Sequence, residues 1–65
     1  MTLAVARGIV LGAHPTARCR RRVGYAIEVA GPHGTVALYG TGTTEHAAWV
    51  DAARRVLELT AHQRG

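Results

Sequence analysis

Sixty-five residues, a net charge of +4, eight arginines without a lysine, and a single cysteine set the limits on this chain. A chain so short makes one small domain, residues 1–65, burying only about 60% of the surface its unfolded form exposes, and the lone Cys19 excludes an internal disulfide as its stabiliser. His14, Cys19, His33 and His46 are scattered without paired metal-ligand spacing, so no metal or other cofactor is expected and a homodimer is the expected support.

In chain order, Leu3 to Leu11 is rich in Val, Ile and Leu and predicts a first strand, bent at Gly8 and ended by Gly12. Arg7, Gly8 and Gly12 interrupt the apolar run, which makes it neither a signal segment nor a membrane span. With one cysteine, that predicts a soluble protein of the reducing cytoplasm. Ala13 to Arg22 reads as a polar, Pro-containing loop that carries Arg18, Arg20, Arg21 and Arg22.

Val23 to Ala30 alternates with the period of a half-buried strand, Val23, Tyr25, Ile27 and Val29 on one face and Gly24, Ala26, Glu28 and Ala30 on the other. Gly31-Pro32-His33-Gly34 is turn chemistry, since Pro fixes φ and the glycines tolerate positive φ. Thr35 to Gly40 alternates again, Val36 and Leu38 against Ala37 and Tyr39, so the two segments predict a β-hairpin. Gly40-Thr41-Gly42 is expected to break the sheet. Thr43 or Thr44 then caps a helix running to about His62, with Glu45 in its first turn. Trp49, Ala52, Ala53, Val56, Leu57 and Leu59 form its apolar stripe, opposite Asp51, Arg54, Arg55, Glu58 and His62. Asp51 with Arg55 and Arg54 with Glu58 have ion-pair spacing. The expected architecture is α+β: a three-stranded antiparallel sheet followed by one C-terminal amphipathic helix, βββα.

The chemistry in the sequence points away from an enzyme. Its carboxylates, Glu28, Glu45, Asp51 and Glu58, do not pair for metal-assisted hydrolysis, and three of them lie on the helix. Cys19 stands among arginines, which favour a thiolate, but no base is fixed beside it. Gly40-Thr41-Gly42 lacks the further residues of a nucleotide loop and reads as a strand-to-helix turn. What remains is the arginine cluster, Arg18, Arg20, Arg21 and Arg22, a footprint for nucleic acid or an acidic protein partner.

Several stretches resemble the N-terminal half of the ribonuclease H fold: Arg7-Gly8, then Leu11-Gly12-Ala13-His14-Pro15, Gly24-Tyr25-Ala26-Ile27, and the helix from Thr44-Glu45-His46-Ala47 to Ala52. The resemblance implies a partial ribonuclease H-like fold without activity. The family's first-strand aspartate matches Arg7 and its helix glutamate matches Trp49, and its other carboxylates lie in a half with no counterpart here. Gly42-Thr43-Thr44 with Ala48 and Ala52 is also similar to the helix entry of Hic-type antitoxins. Gly40-Thr41-Gly42 with Ala48, Ala52 and Ala53 resembles the end of the double-stranded RNA-binding domain. That domain places Lys-Lys where Glu45 and His46 stand, and it begins with a helix for which no segment is assigned here. The functional expectation is a non-catalytic nucleic-acid-binding module, with a protein–protein or antitoxin-like role as the alternative.

Overall fold

A computed structural model describes residues 1–64, with side chains as far as Ala61. Its elements are α1 (Leu3–Ala13), β1 (Arg18–Arg22), β2 (Gly24–Ala30), β3 (Val36–Gly42) and α2 (Glu45–Arg64). The class is α+β with a three-stranded antiparallel sheet in the order β1-β2-β3, and the C-terminal helix is where the periodicity put it. The βββα order is corrected to αβββα, because the segment from Leu3 to Leu11 is a helix and the arginine segment is a strand.

Almost every apolar position of α1 suits either a strand or a helix, so the partner decides. Thr2 has extended backbone and its side-chain oxygen accepts from the Val5 N–H at 3.1 Å, an N-cap that starts the helix. Ala6 and Val10, four residues apart, are completely buried, with Leu3 and Ile9 packed at the same core. A strand would have sent Leu3, Ile9 and Leu11 to one side and Ala6 and Val10 to the other. The helix ends at His14, whose N–H donates to the Val10 carbonyl at 2.7 Å, and Pro15 follows.

β1 and β2 are joined by Val23 alone. Gly24 makes that reversal possible with φ +99°, and Val23, expected in the strand on one face with Tyr25, Ile27 and Val29, stands fully exposed at the turn. The register places Arg18 opposite Glu28, Cys19 opposite Ile27, Arg20 opposite Ala26, Arg21 opposite Tyr25 and Arg22 opposite Gly24. The β2–β3 hairpin forms as the alternation predicts, with a bulge: Ile27 faces Gly40 and Glu28 faces Leu38, leaving Tyr39 as the extra residue.

Gly40 and Gly42 do not break the sheet; both belong to β3. They are small because α2 lies directly on them. A Cβ at Gly40 would come within 2.5 Å of the Ala52 nitrogen and 2.6 Å of the Ala48 oxygen, and one at Gly42 within 2.6 Å of the Ala48 nitrogen. Thr44 caps α2, its hydroxyl accepting from the Ala47 N–H at 3.1 Å. Ala48, Trp49, Ala52, Ala53 and Val56 are buried as the stripe predicts, whereas Leu57 and Leu59 remain about half exposed. His62 lies outside the described side chains.

α1 packs on α2, and both share one core with Ile27 and Val29 from the inner face of the sheet. The sheet edges differ. Along β3, Asp51 accepts the Thr41 N–H at 3.0 Å and Arg55 donates to the Leu38 carbonyl at 3.2 Å. These bonds replace the expected ion pairs along α2: among the described residues, neither Asp51 with Arg55 nor Arg54 with Glu58 forms one. Along β1, no hydrogen bond from either helix reaches the outer edge among the described residues.

Candidate nucleic-acid interface

The arginines expected in a loop form an edge strand, and a strand sorts its side chains. Residues two apart share a face at intervals of about 7 Å. Arg18, Arg20 and Arg22 therefore line the face turned away from the helices, beside Glu28, Ala26 and Gly24. Cys19 and Arg21 take the other side, with Ile27 and Tyr25. The four-arginine cluster is thus split three to one. Arg21 lies at the rim of the inner face, its guanidinium 5.9 Å from the centre of the Tyr25 ring, a cation–π contact.

Glu28 is the member of this site that the sequence pattern alone leaves out. Alternation put it opposite the core face, but only β1 paired beside it brings arginines to it. The residue is 8% exposed, although it lies on the helix-free face. Arg22 donates from Nη2 to Glu28 Oε2 at 3.5 Å, and Arg20 Nη1 stands 3.5 Å from Oε1. The Arg20 contact is Coulombic only, because Oε1 has no aligned hydrogen-bond donor. The two guanidinium side chains remain 51% and 67% exposed, so both charges face solvent above the carboxylate. Among the described residues, the strands of this face carry three guanidinium groups against one carboxylate.

Around this charge lies apolar surface. Val36 and Leu38, on β3, are each more than half exposed. A hollow runs between Arg22, Ala26, Glu28, Leu38 and Thr41. Tyr25 and Trp49 pack into or against the core on the helix side. Tyr39 is held against His14, with ring centres 4.5 Å apart, and under Arg55. Tyr25, packed against the core from the helix side, also borders the hollow.

Elsewhere several titratable groups are tied to the fold. Glu45 accepts from the Trp49 indole N–H at 3.3 Å, and Arg7 lies over the same ring. His46 Nε2 donates to the Met1 carbonyl at 2.8 Å. Cys19 does not have the arginine-activated thiol that its sequence neighbours suggest. Burial, and then the negative charge of Glu45, push its thiol above the ordinary value. Alternation explains this: the flanking Arg18 and Arg20 point to the opposite face. Among the described residues, no three His, Cys, Asp or Glu side chains converge on a possible metal position, and no helix is long and apolar enough to cross a membrane.

Comparison with protein-family models, with curated proteins and with solved structures finds no match to this chain.

Proposed function

We propose that this chain is a non-catalytic binding module that holds nucleic acid by its phosphate backbone, through Arg18, Arg20 and Arg22. The observation that carries the reading is their placement: three exposed guanidinium groups at strand spacing on a face that neither helix covers. Arginine forks suit phosphate oxygens, and such contacts position a protein without reading sequence. The αβββα order supports the resemblance to the double-stranded RNA-binding domain, which also starts with a helix and whose Gly-x-Gly and Ala-rich helix correspond to Gly40-Thr41-Gly42 and α2. It supports the ribonuclease H resemblance less, because Arg7-Gly8 lies within α1 where that family has a strand.

Fluorescence anisotropy with labelled duplex and single-stranded oligonucleotides, titrated with salt, tests the reading. Each phosphate contact contributes a slope of about 0.9 on B-DNA, or about 0.7 on single strands, in log K against log salt. Replacing Arg18, Arg20 and Arg22 together by Ala should flatten the slope by about 2 to 3. Arg21→Ala should change it by less than any one of the three. An unchanged slope in the triple variant, with its CD spectrum intact, would overturn the assignment.

A protein partner is the second reading, favoured by the exposed Val36 and Leu38 on the β3 side of the same face. In this reading the same face closes a homodimer or docks on an acidic protein, as an antitoxin-like module would.

A further inference from the structure

We propose that Glu28 is a built-in competitor for the anion site formed by Arg20 and Arg22, which sets how tightly that site takes a phosphodiester. The inference rests on the nucleic-acid reading and adds a residue of opposite charge to it. Glu28 is the carboxylate on the face that carries Arg18, Arg20 and Arg22, and it lies beneath two of them. Both contacts are long at 3.5 Å, and only the one from Arg22 is a hydrogen bond. Contacts of this kind hold exposed guanidinium groups weakly, so both can swing outward to a phosphate.

Their release is not free of consequence for the carboxylate. The Glu28 side chain is only 11% exposed, and its Oε1 already lacks a hydrogen-bond partner. A phosphate that draws both guanidinium groups away leaves this buried charge without the two that contact it, with Arg18 the remaining arginine on its face. The negative carboxylate also repels the incoming phosphate. The two effects act in the same direction: Glu28 weakens anion binding at this face. Gln, with the same shape and no charge, removes both effects.

Glu28→Gln should therefore bind a 20-base-pair DNA duplex and a 20-nucleotide RNA about tenfold more tightly than the parent protein, the scale of two partly exposed ion pairs. Its salt slope should match that of the parent, because the same three arginines contact phosphate in both proteins. Adding Arg20→Ala and Arg22→Ala to Glu28→Gln should abolish the gain. Equal affinity of parent and variant for an oligonucleotide that both bind would overturn the competitor role and leave the nucleic-acid reading standing. Failure of both proteins to bind either probe would overturn the two together. Weaker binding by a variant of unchanged melting temperature would make Glu28 a positioning residue, contrary to the proposal. Should the variant fold poorly, NMR of the arginine Nε–H groups decides on the parent protein alone. Inorganic phosphate should shift the Arg20 and Arg22 signals together with the Glu28 side-chain carboxylate signal, whereas movement of the arginines without Glu28 would refute the competition.

Discussion

The contact between α2 and β3 makes a quantitative prediction through glycine. Gly40 is buried, and a methyl group there would meet three backbone atoms of α2: the Ala52 nitrogen at 2.5 Å, the Ala48 oxygen at 2.6 Å and the Ala52 Cα at 2.9 Å. Backbone cannot rotate aside as a side-chain tip can, so Gly40→Ala must lift the helix from the strand. Overpacking of this kind costs about 1–3 kcal/mol, and a backbone obstacle places this site at the upper end. The stiffer unfolded chain returns only about 0.4–1 kcal/mol. A chain of this size holds roughly 3–10 kcal/mol of stability, so the net loss is a large share of the whole. At about 4–8 °C per kcal/mol, a net loss of about 2–2.6 kcal/mol should lower the melting temperature by about 8–21 °C. Gly8 supplies the control, because a methyl there meets nothing within 4 Å and the residue lies inside α1. Gly8→Ala should stabilise by about 0.5–1 kcal/mol through helix propensity. Thermal unfolding followed by CD at 222 nm measures both. A Gly40→Ala melting point within about 2 °C of the parent, well under the loss expected from overpacking, would mean that α2 does not rest on β3 at that position.

Cys19 should react with a disulfide reagent more slowly in the folded protein than in urea-unfolded chain at neutral pH, since burial and Glu45 hold the thiol protonated. Glu45→Gln should speed the folded reaction by lowering the thiol toward its ordinary value, and no acceleration would remove Glu45 as a cause. If the helix-free face closes a homodimer, sedimentation at micromolar concentration should show two copies and the melting temperature should rise with concentration. Leu38→Glu should then shift the population to monomer, and a parent protein that sediments as a monomer throughout would refute the dimer.

Legibility followed the strength of each segment's pattern. The β2–β3 hairpin and α2 announce themselves because alternation, the Gly31-Pro32-His33-Gly34 turn and the Trp49–Ala53–Val56 spacing each agree with burial in the fold. The first helix was hidden by its own composition. Val5, Ile9 and Val10 favour a strand locally, and the burial of Ala6 and Val10 among the residues that pack α1 on α2 outweighs that preference. β1 was hidden for the opposite reason. An edge strand with one face in solvent needs few apolar residues, and here only Cys19 packs against the core. The arginines were therefore visible as a cluster, but neither their division between two faces nor their contact with Glu28 could be read before β1 was known to pair with β2.

The unequal edges of the sheet set a limit on how copies of this chain can grow together. A sheet whose two edges are both open can add a neighbour on each side, and repeated addition has no natural end. Here Asp51 and Arg55 close one side with hydrogen bonds of their own, so recruitment through that side requires breaking them first. The other side presents Arg-Cys-Arg-Arg-Arg, and pairing it antiparallel with itself sets Arg20 against Arg20 and Arg18 against Arg22. Like charges directly opposite one another destabilise such a pair. Lengthwise polymerisation is thus blocked by hydrogen bonding at one end and by electrostatics at the other. A variant that neutralised the arginines would still stop at two copies, because the second edge of each copy would stay closed.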